Sequence, residues 1–264
     1  MNTKARIDNL RFILCTLLAE RKEYVGWQIP DTLEKQQSMM RALLNVRSPQ
    51  PINPEFLQAQ DTELRLQLAD KGIVALSDIP TCHSDSRLRI WQGDITRLNM
   101  DAIVNAANNN LLGCFVPLHR CIDNAIHSAA GVQLRLECDR LMQKQGHPEP
   151  TGCAKITKGY NLPARYVLHT VGPIVGNAQP TLKQEQQLAD CYRSCLSLAS
   201  AHGLSSIAFC CISTGEFGFP QEQAAQIAVE TVINCLKTTS HIQIMNVQRV
   251  EELIFLFMTT KRTQ

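Results

Sequence analysis

From Leu88 onward, short apolar runs alternate with stretches of helical periodicity, and no other feature constrains the fold of this chain as strongly. Leu88-Arg89-Ile90-Trp91 reads as a strand ending at Gly93-Asp94, and Ala102-Ile103-Val104 as a short buried strand. Residues 121–143 are helical in pattern. Ala154–Ile156 and Tyr166–Leu168 read as strands separated by the turn Tyr160–Pro163. A helix over 183–202, a buried strand over 207–212, a helix over 221–237 behind Pro220, and a last buried strand, Leu253–Phe257, complete the pattern. Such alternation predicts an α/β fold with a central sheet sandwiched between helices.

The first 80 residues are different. Ile7, Leu10, Leu14, Leu17 and Leu18 mark one face of a helix over 5–21. A second helix is expected over 31–46, with Asp31 as N-cap, and a third from about Glu55 to Ala69, ending near Gly72. Pro49, Pro51 and Pro54 break the chain between them. The expected organisation is therefore an N-terminal helical extension, residues 1–80, and an α/β domain, residues 81–264.

Composition excludes several classes. The net charge of +2 is spread without a basic block, so nucleic acid is not expected as the main partner. No apolar run approaches the ~20 residues that cross a bilayer. Asp8 and Arg11 interrupt what would have to be the apolar part of an export signal. The 11 cysteines, an odd number in a chain this long, then read as reduced thiols of a cytoplasmic protein. Most are plausible core residues, such as Cys191, Cys195, Cys210 and Cys211.

Chemistry concentrates in residues 105–127, where an Asn-rich turn precedes Cys114, His119 and Cys121, with Asp123 two positions on. Two thiols and an imidazole at this density suit Zn²⁺, and three protein ligands leave a coordination position open for water or substrate. The spacing cannot put His119 and Cys121 on one helical face, so they must converge from a loop, which Gly113 and Pro117 favour. Core cysteines and a turn-capping histidine are the alternative. Cys121 also falls at a helix start, where the dipole is expected to lower its pKa. Asp123 is either a first-turn acidic residue or a general base, and spacing does not decide. The Cys82-His83 pair lacks further ligands nearby, and His169 reads as a core histidine. Ser213–Pro220, between a strand and a helix, suits a phosphate held by backbone N–H groups. Taken alone, the loop is better read as a plain strand-to-helix turn, and Glu216 counts against phosphate unless its carboxylate points away.

Together these pieces resemble the macrodomain family of ADP-ribose-binding modules and hydrolases. The resemblance rests on Gly93-Asp94-Ile95-Thr96, Val104-Asn105-Ala106-Ala107-Asn108, Ile126-His127 with Ala129-Ala130-Gly131, and Thr151-Gly152-Cys153-Ala154. It continues through Tyr160-Asn161-Leu162-Pro163, His169-Thr170-Val171-Gly172-Pro173 and Ile212-Ser213-Thr214-Gly215. Where many members carry a glycine run, this chain has Gly113–Cys121, and this departure, with Glu216-Phe217, resembles a zinc-containing branch. The N-terminal helical extension also suits that branch.

The resemblance implies a macrodomain-type mixed sheet. Asp94 would hold the adenine amino group, and Ile95 would lie beside the ring. Ser213, Thr214, Gly215, Glu216 and Phe217 would wrap the pyrophosphate and distal ribose. Ile122 and Asn124 would join the ligand-binding wall. Asp123 would take the place of the catalytic aspartate, with Asn108 beside the distal ribose as its companion. Cys114, His119 and Cys121 would hold one zinc ion. The implied activity is zinc-dependent removal of mono-ADP-ribose from protein side chains, Asp/Glu-linked above all; a reader that binds ADP-ribose around a structural zinc is the alternative. The partners implied are ADP-ribose and a mono-ADP-ribosylated protein; in microbial members these include a lipoyl-carrier protein modified by a sirtuin-type transferase.

Overall fold

The structure, a computed structural model, describes residues 2–82, 85–176, 178–238 and 242–247. It opens with three helices, α1 (Thr3–Ala19), α2 (Leu33–Val46) and α3 (Pro54–Lys71). Side-chain caps set two of the starts: Asn2 accepts from the Ala5 N–H, and Asn53 accepts from the Phe56 N–H with Pro54 in the first turn. The N-cap of α2 is Thr32 rather than Asp31, which instead pairs with Arg11 at 3.0 Å. The three helices share an apolar cluster around Leu10, Leu14, Met40, Leu43 and Phe56.

The rest of the chain supplies β1 (Val74–Ala75), β2 (Leu88–Trp91), β3 (Leu98–Asn99), β4 (Ala102–Ala107), α4 (Ile122–Ala130), α5 (Val132–Gln145), β5 (Ala154–Lys158), β6 (Tyr166–Val171), α6 (Leu182–Ala201), β7 (Ser206–Phe209), α7 (Gln221–Leu236) and β8 (Gln243–Val247). Six strands form one sheet in the order β2-β8-β7-β4-β6-β5. Every neighbouring pair is parallel except β5–β6. β1 and β3 form a separate short parallel pair. Successive residues of β6 face opposite helices, as strand geometry requires. His169 meets Cys138 of α5, and Thr170 meets Cys191 of α6. The sheet is therefore covered on both faces, and its parallel strands read as nearly unbroken apolar runs.

The helix expected over 121–143 is two helices. Gly131 separates them with φ +93, and a Cβ there would lie 2.6 Å from Gln60 Nε2. Gln60, on α3, also accepts from the Val132 N–H at 3.0 Å. Gln60, from an N-terminal helix far away in sequence, thus packs into the break, and Asn161 donates to the Ala130 carbonyl on its other side. The strand expected over 207–212 ends at Phe209. The expected strand Leu253–Phe257 lies outside the described residues, and so does His83. No helix among the described residues is long and apolar enough to cross a membrane.

The parallel sheet decides where a site can be. The loops after β4, β6 and β7, and the Gly93-Asp94 turn after β2, all leave from the carboxyl edge of the parallel strands. Open α/β sheets bind ligands there.

Candidate active site

Beneath the loop after β4 lies a buried polar chain. Asn105 on β4 donates from Nδ2 to Asp123 Oδ1 at 2.8 Å, and the same amide lies 3.2 Å from His169 Nδ1. The other nitrogen of His169 lies 2.9 Å from Thr157 Oγ1 on β5, so this core histidine is satisfied at both ends. Burial pushes the Asp123 carboxyl up to about 6, although the Asn105 bond, the Arg135 charge and the Asn108 N–H all act the other way. Asp123 is thus more than the exposed first-turn acid that the helix position alone would suggest. His127, one turn along α4, stands with Nε2 at 3.4 Å from Asp123 Oδ1, too poorly aligned for a hydrogen bond. Burial first, then the Arg135 charge and His169, hold its pKa well below the usual histidine range.

Above this chain, residues 108–121 form the loop that the sequence requires. Asn108 spans its start, with Oδ1 accepting from the Asn110 N–H at 3.0 Å and Nδ2 donating to the Gly113 carbonyl at 2.8 Å. Asn124 ties down its middle, donating to the Val116 carbonyl at 3.0 Å. Between these anchors the ligand atoms of Cys114, His119 and Cys121 come within 4.8 Å of one another, each residue half-buried. His119 Nδ1 lies 3.6 Å from Cys114 Sγ, and its Nε2 lies 3.5 Å from Glu216 Oε1. Two soft thiols and an imidazole with a carboxylate behind the imidazole fit a zinc ion, since zinc-bound histidines present their second nitrogen to such an acceptor.

Cys121 corrects one expectation. It is the N-cap of α4 and accepts from the Asn124 N–H at 3.4 Å, yet its pKa is raised to about 11. Burial outweighs that bond, and Asp123 and Cys114 add to the rise. A second grouping, His127, Cys138 and His169, has ligand atoms equally close, but all three are buried, and His169 is already bonded. It is core.

The remaining expected residues lie along the same edge. Asp94 Oδ1 accepts from the N–H and hydroxyl of Thr96 at 3.0 and 2.6 Å, and Oδ2 pairs with Lys71 of α3 at 3.1 Å. Burial raises its carboxyl, but Thr96 and Lys71 outweigh burial and hold it below the ordinary carboxylate range. Ile95 is 2% exposed, its side chain within the core, and Ile122 packs against the same core. The loop after β7 is zipped to the loop after β6: Val175 and Gly176 both donate to the Phe217 carbonyl, at 2.8 and 3.0 Å. Gly218 has φ +67, and a Cβ there would lie 2.4 Å from the Gly176 carbonyl oxygen. Ser213 takes the left-handed conformation, φ 64, which a non-glycine residue adopts only under constraint, and its buried Oγ has no hydrogen-bond partner among the described residues. Thr214 bonds the Cys211 carbonyl, while Gly215 and Glu216 are exposed at the tip. Glu216 points toward His119 on the Cys114–Cys121 loop, so carboxylate and phosphate need not compete.

Three groups here escape sequence reading: Asn105 as the partner of Asp123, and Arg135 and α2 behind the Cys114–Cys121 loop. Only Asn105 leaves a trace, as a polar residue in the otherwise apolar β4.

Residues 104–228 match the Macro domain family. A protein-ADP-ribose hydrolase of Treponema medium is 52% identical over 84% of this chain and 85% of its own length. Among solved structures, the Trypanosoma brucei macrodomain in complex with ADP-ribose is 31% identical, with TM-score 0.62, covering 83% of this chain and 93% of that one. The Oceanobacillus iheyensis macrodomain with ADP is 40% identical, with TM-score 0.58, covering 64% of this chain and 87% of that one. Sheet order, the loops at its carboxyl edge and these similarities agree, and the chain belongs to the macrodomain family.

Proposed function

We propose that this chain is a zinc-dependent protein-ADP-ribose hydrolase that removes mono-ADP-ribose from modified protein side chains, Asp/Glu-linked ones first. One observation carries the reading: three soft donors converge within 4.8 Å on the loop that runs straight into the buried Asp123. The name of the Treponema medium relative and the ADP-ribose in the Trypanosoma brucei complex support the substrate class. Cys114, His119 and Cys121 would hold the ion. When bound there, zinc supplies Lewis acidity toward a ribose hydroxyl or water.

The protein's own groups do the rest. The Ser213–Phe217 turn and the start of α7 receive the pyrophosphate through backbone N–H groups. Asp94 accepts from the adenine amino group. Asp123, ionised at neutral pH with a carboxyl pKa of about 6, takes a proton from the water that attacks the anomeric carbon. The bond from that carbon to the side-chain oxygen breaks. An Asp or Glu side chain departs as a carboxylate, which needs no proton, so this linkage asks for a base and no general acid. Asn105 fixes the carboxylate's orientation. We place the protein in the cytoplasm, where the free thiols of Cys114 and Cys121 stay reduced.

The test is incubation with an auto-ADP-ribosylated protein, with and without chelator. The reading expects about one zinc per chain by elemental analysis and release of free ADP-ribose that the chelator stops. Cys114→Ala and Cys121→Ala should each lose metal and turnover. Absence of zinc in the purified protein removes the metal. Binding of ADP-ribose without release from carboxylate-, serine- or arginine-linked substrates assigns a reader instead.

A further inference from the structure

The N-terminal helices touch the metal loop directly. Asn45, on the last turn of α2, is 1% exposed, and its amide works in two directions. Its Oδ1 accepts from the Leu118 N–H at 3.0 Å, and its Nδ2 donates to Ser128 Oγ on α4 at 2.9 Å. One turn earlier, Arg41 Nη2 donates to the His119 carbonyl at 3.3 Å. The two side chains bracket the backbone of one metal-ligand candidate, one on the peptide before it and one on its own carbonyl. Leu118, between them, has φ 56, a left-handed conformation that a leucine keeps only when its surroundings hold it. A third contact runs through Arg135 of α5. Its guanidinium donates to the carbonyls of Leu44 and Arg47 at the end of α2 and stacks 4.7 Å from the ring centroid of Phe115, on the same loop.

From these contacts we infer that α2 is the support that pre-forms the zinc loop, with Asn45 and Arg41 as positioning residues for His119. The inference rests on the zinc reading above. Its physical ground is that a loop of non-helical backbone, with Leu111, Gly113 and Leu118 in the left-handed region, does not hold three ligands within 4.8 Å by itself. Groups that orient a metal ligand from behind are worth about 10- to 100-fold in metal affinity when removed. A contact that merely seals the seam between α2 and α4 would change stability and leave that affinity alone. Ser128 separates the two roles, because its hydroxyl meets the Nδ2 end of the Asn45 amide on the seam, whereas the Oδ1 end holds the loop.

The experiment uses the full chain and zinc itself. Zinc affinity is measured by competition with a chromophoric chelator for the parent, Asn45→Ala, Arg41→Ala and Ser128→Ala, alongside thermal unfolding of each. Asn45→Ala and Arg41→Ala are expected to weaken zinc binding about tenfold or more, with Ser128→Ala at the parent's affinity. If Asn45→Ala does not fold, Arg41→Ala, half-buried and bonded to the loop by one contact, decides the question. Parental zinc affinity in the Asn45 and Arg41 variants overturns the inference, and so does an equal loss in Ser128→Ala. A parent that takes up no zinc overturns the metal reading itself, and is recognised as such because no variant is needed to see it.

Discussion

Asp123 and His169 are linked through one amide, that of Asn105, yet burial acts on them in opposite directions. For Asp123 it raises the carboxyl to about 6, which makes a better base than an exposed aspartate while leaving it ionised at neutral pH. Asp123→Ala should therefore lose ~10²–10⁴-fold in turnover, the typical worth of general-base help, while ADP-ribose affinity and zinc content largely survive. Single-turnover release of ADP-ribose and calorimetry check both halves; unchanged release would leave Asp123 a structural residue. For His169, burial lowers the pKa to about 3. The native ring stays neutral, whereas the unfolded chain takes up a proton near 6.5. Below that pH the unfolded state binds more protons, so the His169 contribution is present above pH 6.5 and drains away as pH falls toward 3. By pH 5 the loss is about 2 kcal/mol, at roughly 1.4 kcal/mol per pH unit. His169→Gln, which keeps polar atoms facing Thr157 and Asn105, should show a shallower fall in urea midpoint between pH 7.5 and pH 5. An equal fall in both proteins would assign the acid sensitivity elsewhere.

At the scale of elements, the loops after β6 and β7 are a pair of turns held edge to edge, and Gly218 lets them meet. Gly218→Ala adds a Cβ against the Gly176 backbone and forces an L residue to φ +67. A cost of about 1–3 kcal/mol is expected, together with weaker ADP-ribose binding in calorimetry and unchanged zinc content. Unchanged affinity would remove this loop pair from the ligand site. Elements built from local signals were legible in the sequence. α1 followed its apolar stripe, α3 the break at Pro54 and the stop at Gly72, α7 followed Pro220, and the convergence of Cys114, His119 and Cys121 was legible because all three lie on one loop. What was illegible depends on distant partners. Gly131 sits within an unbroken helical pattern, and the groups that hold the break, Gln60 of α3 and Asn161, come from elsewhere in the chain. The thiol of Cys121 reads as activated by its helix start until burial is weighed. The pairing of Asn105 with Asp123, and of Asn45 with Leu118, joins positions that no local pattern relates.

For the whole molecule, the open question is whether residues 1–80 behave as an extension or as part of one cooperative unit. The apolar cluster of α1–α3 takes in Val132 of α5, and Gln60, Asn45 and Arg135 bond across the seam. The layer is fastened internally by an ion network. Arg6 of α1 reaches Glu63 of α3 through two bonds of 2.9 and 3.0 Å, and Asp70 at 2.6 Å. Glu63 is fully buried, with Gln37 and Gln67 also donating to it at 2.9 Å each. Removing Glu63 leaves the buried Arg6 with only the exposed Asp70 for a partner and strands the Gln37 and Gln67 amides, a loss of up to about 3–5 kcal/mol, more than an exposed bridge such as Arg11–Asp31 could contribute. Glu63→Ala should thus lower the unfolding midpoint strongly even though it lies far in sequence from every metal or ligand residue. If α2 supports the zinc loop, melting of the helical layer and release of zinc must coincide. Circular dichroism and a zinc-sensitive dye, followed in one thermal scan of Glu63→Ala, should therefore give the same midpoint. Zinc retained through a first transition and released only in a second would mean that the layer unfolds on its own and that the loop keeps its shape without it.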